Sequence, residues 1–208
     1  LLTLGEVLLR LSPKENNRIV RSTEFESHVG GAELNVASGV SLLGLHTGII
    51  SKLPANSIGE LARSKVRSMN VSDDYLVWDH TEDARLGAYF YESATFPRKP
   101  QVVYDRKHSS ITRISIDEFP EEMYTSTRCF HVSGITLALC PEARTCAVEM
   151  IKRFKQAGAM ISFDVNFRLN LWTGAEAKEC IEGILPYVDI FFCSEDTARL
   201  TFLKEGTD

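Results

Sequence analysis

His28-Val-Gly-Gly-Ala-Glu-Leu-Asn-Val-Ala37 is the stretch on which the reading of this chain turns. It ends a strand, turns on two adjacent glycines and opens an amphipathic helix. Gly30 and Gly31 have no Cβ, so the backbone can bend sharply and a bound molecule can approach the amides closely. The first turn of the helix offers unpaired N–H groups, and the aligned peptide dipoles make that end attractive to oxygens carrying negative charge. Asn35, one turn in, supplies both a donor and an acceptor. A plain strand-to-helix turn whose glycines only relieve crowding would carry the same residues. A dinucleotide fingerprint is excluded, because no third glycine follows at the required place, and the phosphate-loop lysine is missing too.

Working outward, Thr3-Leu-Gly-Glu-Val-Leu-Leu-Arg-Leu11 reads as one strand with Gly5 and Glu6 near its middle, ended by Ser12-Pro13. Glu24 to Val29 alternates as a half-exposed strand leading into the glycine pair. The helix from Ala32 carries Val36, Val40 and Leu43 on one face and stops near Gly44, a residue suited to a left-handed cap. Thr47 to Ser51 reads as a short buried strand. Ser57-Ile-Gly-Glu60 reads as a capping box opening a helix with Ile58, Leu61, Ala62 and Met69 inside.

Between Arg85 and Ser115 β-branched and aromatic residues recur at period two, interrupted by Pro97 and Pro100. The pattern predicts an antiparallel hairpin with no helix. Together with the strand before Gly30 it predicts a small sheet apart from the main body, a lid over about residues 17–30 and 85–115. From Arg128 the rhythm becomes strand, helix, strand, helix, strand, helix. Its strands are Cys129 to Ser133, Ala159 to Phe163 and Val188 to Cys193, and its helices begin at Pro141, near Gly174 and after Ser194. Apolar strands alternating with helices predict an α/β fold with a parallel sheet covered on both faces, in which ligands bind outside the carboxyl ends of the strands.

The composition is that of an ordinary folded protein: 208 residues, 44% hydrophobic and 25% charged. A formal charge of −5 provides no basic surface for nucleic acid. No apolar run is long enough to span a bilayer, and Leu1-Leu2-Thr-Leu-Gly-Glu6 lacks a basic region, so the expected location is cytoplasmic. The five cysteines form no C-x-x-C pair and are expected as buried free thiols, and the five histidines show no metal-ligand spacing.

Three groups carry chemistry. Asp164-Val-Asn-Phe-Arg168 follows a buried strand, so its acid, amide and guanidinium can face a cleft, and a guanidinium fork suits carboxylate or phosphate. An internal Asp164–Arg168 ion pair that only shapes the loop is the plainer reading. Tyr89 and Tyr91 share one face of their strand, and Tyr104 and Arg106 share a face of the next. Two phenols and an arginine can grip a polyhydroxylated acid, although cross-strand aromatic packing beside a solvated arginine explains them as well. Ser194-Glu-Asp196 is explained by helix capping alone.

Taken in order, Gly30-Gly31-x-x-x-Asn35-x-Ala37, Tyr104-x-Arg106, Ser133-Gly-Ile135 and Asp164-x-Asn-x-Arg168 with Leu171-Trp172 resemble the ribokinase-like (PfkB) carbohydrate kinases. Within that family the chain is most similar to the kinases of 2-keto-3-deoxygluconate. The resemblance implies a ribokinase-like fold with a β lid and ATP-dependent, Mg2+-assisted phosphorylation of the sugar acid's terminal 6-hydroxyl. It also implies substrate contacts from Gly31, Ala32, Glu33, Leu34, Asn35 and Tyr89, with Tyr104 and Arg106 at the acid end. Arg168 would lie between sugar and phosphoryl group, and Asn166 and Ser194 towards ATP. A homo-oligomer through the lid is a further expectation.

Two departures stand out. His108-Ser-Ser110 follows the tyrosine–arginine motif where a glycine-containing turn is usual. The Gly-Ala-Gly-Asp segment whose aspartate takes the hydroxyl proton in this family is absent from the chain. The chain is therefore expected to hold mainly the sugar site of one incomplete domain over residues 1–208 and to be inactive alone, within an active parent. Leu1 and Thr207-Asp208 read as interior points of that parent. A kinase of a neutral sugar such as fructose and a non-catalytic module that binds sugar acids are the alternatives, and an exposed sheet edge is expected to make the fragment marginal.

Overall fold

The nine residues that read as one strand serve two sheets. In the computed structural model, which describes residues 1–202, Leu2–Leu4 (β1) pairs within the main sheet and Leu8–Pro13 (β2) within the lid, with Gly5-Glu6-Val7 as the crossing. Residues 2–8 are all buried, so nothing in the apolar pattern marks the change of sheet, and the expected single strand is corrected to two.

The remaining elements follow in chain order: β3 (Phe25–Gly30), α1 (Ala32–Leu42), β4 (Gly48–Pro54), α2 (Ser57–Ser68), β5 (Leu76–Asp79), β6 (Gly87–Glu92), β7 (Gln101–Asp105), α3 (Glu122–Thr125), β8 (Cys129–Ser133), α4 (Gly134–Ala138), α5 (Pro141–Gln156), β9 (Met160–Asp164), α6 (Gly174–Ile184), β10 (Ile190–Phe192) and α7 (Glu195–Phe202). The main sheet has the order β10-β9-β8-β1-β4-β5, and every pairing in it is parallel. The lid has the order β3-β2-β6-β7, with β2 parallel to β6 and the other pairs antiparallel. An α/β fold with a small β lid is therefore what the chain adopts.

Successive side chains of a strand point to opposite faces. In β4 the neighbours Ile49 and Ile50 enter different cores: Ile49 packs with Leu34, Ala37 and Ala62 of α1 and α2, and Ile50 with Phe130, Met150 and Phe154 around α5. The sheet is thus covered on both faces, which hides the backbone of a parallel sheet from water. Phe154 of α5 stacks on Phe130 of β8 at 4.4 Å between ring centroids. The face is left open at β10, where Ile190, Phe191 and Phe192 are all exposed.

Several local expectations are corrected. The inner face of α1 is Glu33, Leu34, Ala37 and Ser41; Val36 is 36% and Leu43 81% exposed. This helix is apolar on most of its circumference, so two faces competed and the one beside the sheet was decided by packing. Gly44, at φ 84°, does close it. The cap of α2 is Asn56 rather than Ser57, its Oδ1 accepting from the amides of Ile58 and Gly59 at 3.0 and 3.1 Å. Its inner face is Gly59, Ala62 and Val66, and Ile58 is exposed. After Asp105 the chain leaves the lid for a 3-10 turn at Ser110–Arg113, where only strand was expected. The cysteines are free, with Cys146 buried but Cys193 exposed. The reading of Thr207-Asp208 lies outside the described residues. Among those described, no helix is long and apolar enough to cross a membrane.

Candidate functional site

The glycine pair stands where the lid meets the body. β3 delivers Gly30 opposite Leu8 of β2, and α1 begins at Ala32. A Cβ on Gly31 would overlap the carbonyl oxygen of Glu6, so this position requires glycine for close approach. The amino end of α1 thereby faces a cavity of about 340 Å³ between the two sheets, a volume suited to a small ligand.

From the body, the cavity is lined by Gly31, Ala32, Glu33 and Asn35 at the start of α1, by Ile135 of α4, and by Asn166, Arg168, Asn170 and Leu171 in the loop after β9. The lid adds Leu8, Tyr89 and Tyr104 and, just past β7, Arg106. Tyr89 and Tyr104 face each other across β6 and β7 with ring centroids 5.7 Å apart, and the Arg106 guanidinium lies 5.7 Å from the Tyr104 ring. The two expected groups, some sixty residues apart in sequence, are thus brought to one space.

Two of the named residues lie elsewhere. Leu34 is fully buried in the core beneath α1 and presents no side chain to the cavity. Ser194 is exposed beyond the end of β10, where its Oγ accepts from the Thr197 amide at 3.2 Å and caps α7. Tyr91 is also outside, with the Arg10 guanidinium 5.1 Å from its ring.

The electrostatics turn on acids. Asp164 and Arg168 form no ion pair: Asp164 Oδ1 accepts from the Asn166 amide at 3.1 Å, and Arg168 Nη1 donates to the carbonyl of Phe167. The plainer reading of that loop is corrected, and the guanidinium of Arg168 is left towards the cavity. Glu33 is buried, and its Oε1 accepts from the amide and Oγ of Ser133 at 3.1 and 2.5 Å and from Thr136 Oγ at 2.8 Å. Burial pushes its carboxyl above the ordinary value of 4.5, with the hydrogen bonds of Ser133 and Thr136 opposing.

Glu6 sits at the crossing between β1 and β2. Its Oε2 accepts from Nε and Nη2 of Arg106, and its Oε1 from Ser109 Oγ at 2.6 Å. The pair is secluded, the side chains being 3% and 12% exposed. Burial raises the Glu6 carboxyl, against the charge of Arg106 and the Ser109 hydrogen bond. Arg106 is therefore not the solvated arginine of the aromatic-packing reading, and Glu6, like Leu8 and Asn170 of the lining, was left unassigned by sequence reasoning. The signal was present: an acid inside Leu4-Gly-Glu-Val-Leu8 must be paired or hydrogen-bonded if that stretch is buried. Among the described residues no three acidic, histidine or cysteine side chains converge as a metal site.

The model of the pfkB family of carbohydrate kinases matches residues 1–208. A 2-dehydro-3-deoxygalactonokinase of Haloferax volcanii is 35% identical over 206 residues, 99% of this chain and 64% of that protein. The crystal structure of a 2-dehydro-3-deoxygluconokinase of Thermotoga maritima superposes with a TM-score of 0.93 at 34% identity, covering 98% of this chain and 62% of that one. An uncharacterised sugar kinase of Pyrococcus horikoshii, solved in complex with ATP, superposes with a TM-score of 0.84 at 27% identity, over 97% and 65% of the two chains. The chain spans just under two thirds of the length of these relatives, and it belongs to the pfkB family of carbohydrate kinases.

Proposed function

We propose that the protein carrying this chain is an ATP-dependent kinase of a 2-keto-3-deoxy sugar acid, phosphorylating its terminal 6-hydroxyl, with 2-keto-3-deoxygluconate as the substrate. The observation that carries this reading is a cavity in which two guanidinium groups, Arg106 and Arg168, stand among phenols and amides. Tyr89, Tyr104 and Asn35, with the amides of Gly31 and Ala32, suit sugar hydroxyls, and a neutral sugar gives an arginine at the lid no carboxylate to bind. The names of the relatives support the same substrate class, since 2-dehydro and 2-keto denote one chemistry.

In this reading Arg106 holds the carboxylate, and Arg168 lies between the hydroxyl and the transferred phosphoryl group, where its charge offsets the charge that develops. Asn166, beside Arg168 in the cavity, and Ser194, at the same edge of the sheet, point the nucleotide along the ends of β9 and β10. Glu33 and Leu34 act from behind, by fixing α1. Mg2+ would arrive on the nucleotide phosphates, because the described residues offer no cluster for it. The chain has no Gly-Ala-Gly-Asp segment, so phosphoryl transfer is expected of the parent protein and not of these 208 residues alone.

Calorimetric titration without ATP tests the reading, with 2-keto-3-deoxygluconate, its galactonate epimer and fructose as ligands. The acids are expected to bind and fructose not to, and Arg106→Ala is expected to weaken the acids by on the order of 2–4 kcal/mol. A preference for fructose would move the reading to a neutral-sugar kinase. Acid binding without phosphoryl transfer by the full-length protein would leave a sugar-acid-binding module.

A further inference from the structure

Arg106 enters the cavity already bound on one edge. Nε and Nη2 both donate to Glu6 Oε2, while Nη1 donates to no protein acceptor among the described residues. The guanidinium is rigid and planar, so fixing the Nε–Nη2 edge fixes where the Nη1 edge points. Glu6 itself has little freedom. Its Oε1 is held by Ser109, a Cβ on Gly87 would overlap that oxygen, and a Cβ on Gly31 would overlap its carbonyl.

We propose that Glu6 is the positioning residue for sugar-acid specificity: by gripping one edge of Arg106 it presents the other edge to the ligand's carboxylate. This rests on the sugar-acid reading above. Three consequences follow from the geometry. The empty site carries a compensated charge instead of a bare cation, so the arginine stays in the cavity and does not swing to water. The part of Arg106 left for the ligand is a single N–H2 edge beside Tyr104, which matches one carboxylate. A neutral sugar gains nothing from that edge, so Glu6 acts on the preference between acid and neutral sugars and hardly at all on sugar affinity in general.

The experiment is calorimetry on the protein carrying this chain, with 2-keto-3-deoxygluconate and fructose as probes, on Glu6→Ala, Glu6→Gln, Arg106→Ala and the Glu6→Gln/Arg106→Ala pair. Glutamine keeps the shape and can still accept from Arg106, so it is the rescuing variant. Glu6→Ala is expected to weaken the acid at least tenfold and fructose less than threefold, and Glu6→Gln to recover most of that loss. In the Arg106→Ala background Glu6→Gln is expected to have no further effect on the acid. Equal losses for both sugars, or an additive loss in the double variant, would overturn the proposal by giving Glu6 a merely structural role. If Glu6→Ala does not fold, the loss that Glu6→Gln leaves unrecovered decides: falling on the acid and not on fructose it supports the proposal, and falling equally on both it overturns it. An Arg106→Ala protein that binds the acid unchanged would sink the sugar-acid reading itself, whereas loss there with no change on Glu6→Ala would sink this inference alone.

Discussion

Glu6, at the hinge of the lid, and Glu33, in the first turn of α1, are two buried carboxylates held in opposite ways. Glu6 meets a guanidinium and one hydroxyl; Glu33 meets only neutral donors from β8 and α4. A carboxylate without a countercharge can shed its burial cost by taking up a proton, but a buried arginine has no such exit because it stays charged at every accessible pH. The body therefore tolerates an unpaired acid, while the lid is tied to the hinge by a pair whose arginine cannot be left unpaired cheaply.

The largest effect is expected when that pair is broken from the acid side. Glu6→Ala leaves Arg106 buried and unpaired and should cost about 3–5 kcal/mol in urea unfolding, more at pH 5 than at pH 8, because it removes a carboxyl whose folded value is raised and whose contribution fades as the pH rises. Arg106→Ala should cost less at pH 5 than at pH 8. It leaves an acid whose folded carboxyl lies above its ordinary value, so that acid contributes fully below about pH 4.5 and loses its contribution as the pH rises. Equal pH behaviour of the two variants would erase the contrast.

A middle-sized effect is expected at Glu33. Glu33→Ala strands the Ser133 amide, the Ser133 hydroxyl and the Thr136 hydroxyl and should cost ~1–3 kcal/mol. Glu33→Gln sharpens the comparison. The wild-type carboxyl is raised, so its contribution is complete below pH 4.5 and fades as the pH climbs through the raised value. Glutamine cannot ionise, so thermal unfolding of Glu33→Gln should depend less on pH over that range.

The smallest effect is expected far from both acids. Ser194→Ala removes the cap of α7 and should cost ~1 kcal/mol while leaving the affinity for sugar unchanged. A change in sugar affinity would bring Ser194 into the cavity site, against where its side chain lies.

The parallel sheet, the lid and most of the cavity's lining were legible because their signals are local: a glycine pair before a helix, period-two aromatics, and polar loops after apolar strands. What was not legible depends on distant partners. Glu6 and Arg106 are a hundred residues apart, as are Glu33 and Ser133, so no window of sequence contains either contact. The crossing at Gly5-Glu6-Val7 was hidden within a continuously buried stretch, and the inner face of α1 by its apolar surround. Ser57 looked like a cap because Glu60 follows it three residues on, whereas its neighbour Asn56 performs that task.

The place of β1 has a consequence for how the protein is made. Leu2 lies between Gly48 and Phe130, so a segment near the start of this chain becomes a central strand only when residues far downstream exist. At translation speeds of about 5–20 residues per second that wait is on the order of ten seconds. During it, β1 and β4 can pair on one side while the other side of β1 stays open. On the ribosome the first half of this chain is then an apolar sheet edge waiting for a partner, and a chaperone that shields such edges would raise the yield of folded protein.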